Sequence, residues 1–305
     1  MRVVDEDEIF ELLNKQGFLT GSELHSRVSA DIFDLWRTCA LSERVWARVF
    51  SRRYLRLDKA LDEFARLSPS IMREFLTYTL IGKTEDRQEM EKEADRRIEK
   101  IKSISRAKQE LALYSLKEVL SELDEENTIL ENTCFIIAGD VVYDMAHTES
   151  RPEKSTGKMV RGSDLDVIIV YDDSLDKKVV TALDEAIYKR KYVMLVHPSL
   201  REELDYIIKS LSKTRGQMAF DSFQSMVACK ILDEGEYLFG SEPLFGRIKD
   251  MLKETGVPER LAALKKAAEE RRAQAEQTLL EKPETLQTPE FEQLFFHREE
   301  ADEIF

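Results

Sequence analysis

The sequence predicts an α+β protein, and three observations carry that expectation. Residues 84–123 place apolar side chains at helical spacing with no proline or glycine. The runs CFIIAG and DLDVIIVYDD are short, rich in Ile and Val and bounded by Gly and Asp, as buried strands are. Helical patterning returns after Gly256. These features divide the 305 residues into a helical N-terminal domain (1–130), an α/β core (131–250) and a helical, acidic C-terminal extension (251–305).

Taken in order, DEDEIFELLNKQ sets Ile9, Leu12 and Leu13 on one side behind an acidic first turn. SADIFDLWRTCAL and SERVWARVFSRRYLRL are expected to be further helices, with Ser29 and Ser42 as caps. On the second of these, Arg44, Arg48, Arg52 and Arg56 recur every four residues, opposite Val45, Trp46 and Val49. Such a stripe is a solvated face, a set of contacts to the chain's own acidic helices, or a grip for nucleic-acid phosphates. The stretch 84–123 predicts one or two long amphipathic helices. From Thr133 the pattern becomes strand, then a helix over DVVYDMAHTE, a polar loop over SRPEKSTGKMVRGS, a second strand, and a helix opened by Ser174.

REELDYIIKS reads two ways. As a strand it puts Glu203, Asp205 and Ile207 on one face; as a helix it is capped by Ser199 with Glu202, and YVMLV becomes the strand instead. From Glu269 to Phe305 there are eleven acids against four bases, so that tail carries half of the net charge of -14 and is expected to be solvated. Its aromatic ending, FEQLFFHREEADEIF, leaves docking on the body or on a partner open.

The overall charge argues against a surface that binds nucleic acid everywhere. No apolar run reaches bilayer length, the acidic start is not that of a signal peptide, and a cytoplasmic protein is expected. Cys39, Cys134 and Cys229 lie far apart and read as small buried residues of a reducing compartment. None of His25, His147, His197 and His297 has a partner at zinc-ligand spacing, though His147 falls near the expected pocket.

The chemistry concentrates in RGSDLDVIIVYDD. Side chains alternate along a strand, so Asp164 and Asp166 project the same way at its mouth. Two carboxylates this close raise each other's pKa unless a cation lies between them, and Mg²⁺ is commonly held by one or two carboxylates with phosphate oxygens.

FIIAGD followed by RGSDLDVIIVYDD resembles the signature of the DNA polymerase β-like nucleotidyltransferases: a strand ending at glycine, a helix, then a strand opening with Ser-Asp-x-Asp. The resemblance covers about residues 133–245, including FDSFQSMVACKILDEGEYLFGSEPLF, similar to the helix, acidic-Gly turn and apolar run that follow the core in small members. It implies a polymerase β-like core and attack on the α-phosphate of an NTP, with Mg²⁺ or Mn²⁺ on Asp164 and Asp166. On the strand reading Asp205 becomes a third ligand and the base. Gly139 and Ser163, with Lys154, Lys158 and Arg161 of the loop, would hold the triphosphate. The acceptor is an RNA such as tRNA, a protein or a small molecule. Asp140 stands where the family has Ser, which admits a catalytically silent binding module as the alternative.

Overall fold

The computed structural model describes residues 4–59, 65–124 and 127–304. Residues 1–3, 60–64 and 125–126, within the segment expected to be helical, and residue 305, at the end of the acidic tail, lie outside the described residues. The chain forms two compact units: residues up to 100 together with 264 onward, and residues 101–263. The three consecutive domains read from the sequence therefore become two, with the C-terminal segment built into the first.

The first unit begins with α1 (Glu6–Gln16), capped by Asp5, whose side chain accepts from the Asp7 N–H. Then follow β1 (Leu19–Thr20), α2 (Gly21–His25), α3 (Ile32–Leu41), β2 (Val45–Val49), β3 (Tyr54–Leu57), β4 (Ala65–Ser68), α4 (Ile71–Tyr78) and β5 (Thr79–Lys83). The helix α5 (Arg87–Leu123) runs on from this unit. β5 lies between β1 and β2 in an antiparallel sheet, and β3 pairs with β4. The N-terminal segment is therefore mixed, not all-helical.

SERVWARVFSRRYLRL forms the strands β2 and β3. Its Val and Trp residues favour a pleated surface, and a spacing of four is in phase with a strand's period of two as well as with a helix. The arginine stripe goes with that helix. Arg44 pairs with Asp7 at 2.6 Å and lies over the Phe10 ring, while Arg48 pairs with Glu91 at 2.8 Å. Arg56 lies on β3, in a different sheet from Arg48, with Arg52 between the two strands. Ser42 ends α3 and does not cap a following helix, and Asp31, not Ser29, caps α3.

The acidic tail packs into this unit. After α11 (Val257–Glu281) and α12 (Pro289–Phe295), Leu279 and Phe295 join Phe33 and Ile71 in a buried cluster. Glu300 is fully buried; Arg66 Nη1, Ser68 Oγ and the Ser70 N–H each donate to its carboxylate at 2.8 Å. Arg272 donates to Glu74, Glu276 and the Pro69 carbonyl, and Arg53 forms a fork onto Glu74 at 2.7 and 2.6 Å.

In the second unit α5 leads to α6 (Thr128–Asn132), β6 (Thr133–Ala138), β7 (Ser150–Pro152), β8 (Met159–Arg161), β9 (Leu165–Tyr171) and α7 (Lys177–Val196). Next come β10 (Leu204–Ser210), α8 (Leu211–Gln217), α9 (Phe223–Glu234), β11 (Glu236–Gly240) and α10 (Glu242–Glu254). The sheet order is β10-β9-β6-β11, with β10 parallel to β9 and the other pairs antiparallel. Leu165, Val167 and Ile169 pack into the core with Leu116, Leu183 and Ile187, so Asp166, Ile168 and Val170 occupy the opposite face.

Three local expectations change here, and one open reading is decided. DVVYDMAHTE is a 3₁₀ turn at Gly139–Val141 and irregular chain beyond it, because Asp144 takes φ 56° and the Met145 N–H closes back onto the Asp140 carbonyl. The polar loop is the β7–β8 hairpin. Asp176, not Ser174, caps α7. YVMLV is the last part of α7, and REELDYIIKS supplies β10. The three cysteines are free and buried, and among the described residues no helix is long and apolar enough to cross a membrane.

Candidate active site

The tripeptides Asp164-Leu165-Asp166 and Glu203-Leu204-Asp205 lead into β9 and β10, and the parallel register places Leu165 beside Leu204 and Asp166 beside Asp205. The leucines are fully buried. The flanking acids therefore emerge together on the other face, at one end of the sheet. Carboxylate oxygens of Asp164, Glu203 and Asp205 lie within 4.8 Å of one another.

Asp166 sits behind them, against the turn that ends β6. Gly139 takes φ +71°, and a Cβ there would stand 2.1 Å from Asp166 Oδ2, so only glycine lets the backbone pass. Gly139→Ala is expected to displace the Asp166 carboxylate and to add about 1–2 kcal/mol of backbone strain. A lowered melting temperature and at least a tenfold loss of turnover would register it; unchanged values would show that the turn adapts freely.

The cluster is short of positive charge. Burial pushes Asp166 well above the usual carboxylate range, helped by Asp164, Asp140, Asp205 and Glu203. Burial also raises Asp164, against the pull of Arg151, and raises Glu203 in the same way. Arg151 lies 2.9 Å from Glu203 and 3.8 Å from Asp164, and Lys191 is 2.7 Å from Asp205. Two cations thus face five mutually interacting carboxylates. The Asp205 side chain is 49% exposed, so its bond to Lys191 is worth little and gives way to a better cation at small cost.

The other expected residues are dispersed. Ser163 is buried and its hydroxyl donates to Asp140 Oδ2 at 3.1 Å, an inward contact that draws Asp140 to the cluster. Its carbonyl, with that of Arg161, accepts from Lys108 Nζ, which also pairs with Glu202 at 2.6 Å. Lys154 and Lys158 are exposed on the hairpin, and Arg161 Nη1 donates to the Ser199 carbonyl at 3.3 Å. His147 is buried, and its N–H donates to Ser163 Oγ.

Glu203 as a ligand, Arg151 and Lys191 were missed in the sequence. For Glu203 a signal existed: acid-Leu-Asp opens both apolar runs, DLDVIIV and ELDYIIK. Arg151 and Lys191 reach the site from a hairpin and a helix, and no local spacing marks them.

An all-oxygen donor set with surplus negative charge fits a hard divalent cation, Mg²⁺ or Mn²⁺. Compared with known proteins, the chain matches no family model and no curated protein.

Proposed function

We propose that the protein is a metal-dependent nucleotidyltransferase with a polymerase β-like core, moving a nucleoside monophosphate from an NTP to a hydroxyl group. The observation that supports this reading best is the pair of in-register acid-Leu-Asp strand openings behind the Gly139 turn.

Asp164, Glu203 and Asp205, with Asp166 behind them as a further carboxylate ligand, would hold the divalent ion. When bound, that ion supplies charge neutralisation at the triphosphate. The acceptor oxygen bonds to the α-phosphorus as the bond to the pyrophosphate oxygen breaks. The hydroxyl proton passes to a carboxylate, and Asp205 is the most accessible of the set. Arg151, which faces Glu203 and Asp164, supplies positive charge for the triphosphate. The reducing setting that three free thiols favour makes the cytoplasm the proposed location.

The test is transfer of label from α-³²P NTPs to acceptors in a cell extract, with wild type beside Asp205→Asn. Label that moves in wild type and fails to move in the variant is expected. Label that moves equally in both sinks the assignment.

Asp140 favours a second reading, a silent nucleotide-binding module, because its carboxylate is held where phosphate oxygens would approach. Nucleotide binding without pyrophosphate release would favour that reading.

A further inference from the structure

A cleft of about 540 Å³ is lined by Ser150, Met159 and Arg161 from the hairpin side and by Pro198, Ser199 and Arg201 from the turn between α7 and β10. Among the described residues, no carboxylate lines it. The Arg161 N–H donates to the Arg201 carbonyl at 2.8 Å, and the Leu165 N–H to that of Glu203 at 2.8 Å. The two paired segments that carry the arginines thus run straight on into the two acid-Leu-Asp openings.

Next to the cleft, Lys158 Nζ stands 5.6 Å from the ring centroid of Tyr192. Tyr192 is 57% exposed and Tyr188 66% exposed, one turn apart on α7, and Lys189 beside them is exposed as well. The opposite side of α7 buries Leu183, Ile187 and Met194 in the core, so these tyrosines are not needed for packing. Two exposed aromatic faces one turn apart, one of them beside Lys158, stand out in a chain of net charge -14.

Single-stranded nucleic acid matches this chemistry. Its bases stack on aromatic rings without regard to sequence, and its phosphates pair with a line of cations. A nucleotide triphosphate uses the cations but leaves two tyrosines unexplained. We propose that the α7 tyrosines and the arginine cleft bind a single-stranded nucleic acid and lead its terminal hydroxyl to the acids of β9 and β10. The inference rests on the transferase reading, and it names the acceptor class.

The experiment is fluorescence anisotropy of 5′-labelled 12-nucleotide RNA and DNA strands with the full chain, without NTP and with metal chelated. Saturable binding is expected, falling between about 50 and 200 mM salt with a slope of about -2 for three phosphate contacts on a single strand. Tyr192→Ala is expected to weaken it about tenfold. A double variant, Lys158→Ala with Arg201→Gly, should weaken it at least as much; glycine suits the φ of 53° at that position. Lys178→Ala, at the far end of α7, should bind like wild type. Whichever strand binds more tightly names the acceptor as RNA or DNA.

No binding of either strand, or equal binding by wild type and Tyr192→Ala, overturns the proposal. So does displacement of the strand when an NTP is added afterwards, which would assign the cleft to the triphosphate. Because binding is first read without NTP or metal, failure of transfer leaves its result standing. Transfer to another acceptor, with no strand binding, removes this inference alone.

Discussion

Asp166→Asn is expected to abolish nucleotidyl transfer and, in the metal-free protein, to raise the melting temperature. The two effects have one cause. Asp166 is held beneath Gly139 and beside Asp164, Asp140, Asp205 and Glu203, where burial and like charge disfavour its ionised form. A carboxyl whose folded pKa lies above its unfolded value binds the extra proton in the folded state, so stability falls as pH rises from the unfolded value through the folded one. Above both, the full cost is present, and asparagine removes it. The expected gain is a melting temperature raised by about 2–4 °C for each kcal/mol of that cost in a domain of this size, read by calorimetry at neutral pH. Mg²⁺ should raise the melting temperature of wild type by mass action and leave that of the variant nearly unchanged. Transfer should fall about a thousandfold, the size of several kcal/mol of lost charge stabilisation. A variant that is less stable without metal, or that keeps its turnover, would contradict this assignment.

Glu300→Ala is expected to cost the first unit about 3–5 kcal/mol, because it leaves buried Arg66 without its closest counter-charge. Burial acts to raise Glu300, but Arg66, Arg73 and the bonds from Ser70 and Arg66 outweigh it and hold the carboxyl at about 2. The sign is that of a depressed acid: its stabilisation is present above the unfolded value of 4.5 and is lost as pH falls towards 2. Trp36 and Trp46, the chain's two tryptophans, both lie in this unit, so their fluorescence during urea unfolding reports on it. A midpoint unchanged by Glu300→Ala would mean that the tail does not brace the unit.

The strands β6 and β9 could be read from the sequence because their Ile and Val runs are buried on both faces and carry no competing period. The acids Asp164 and Asp166 followed from β9 by alternation alone. β10 was ambiguous: its apolar residues also fit a helix, and only pairing with β9, 39 residues away in register, decides for the strand. The arginine spacing fits both periods, so local pattern could not separate strand from helix there. The place of the tail depends on contacts such as Arg66 with Glu300, more than 200 positions apart, which no local window contains. Lys191 and Arg151 entered the site for the same reason, through tertiary structure and not spacing.

The most direct test of the acid cluster needs no acceptor. Titration of the metal-free protein with Mn²⁺ in the presence of a non-hydrolysable NTP analogue, followed by the paramagnetic signal of free Mn²⁺, counts bound ions in wild type, Asp166→Asn and Asp205→Asn. Saturable binding in wild type, lost or weakened at least tenfold in both variants, is the predicted result. Absence of binding in wild type, or equal binding in all three proteins, would contradict the assignment of these carboxylates to a metal-dependent active site.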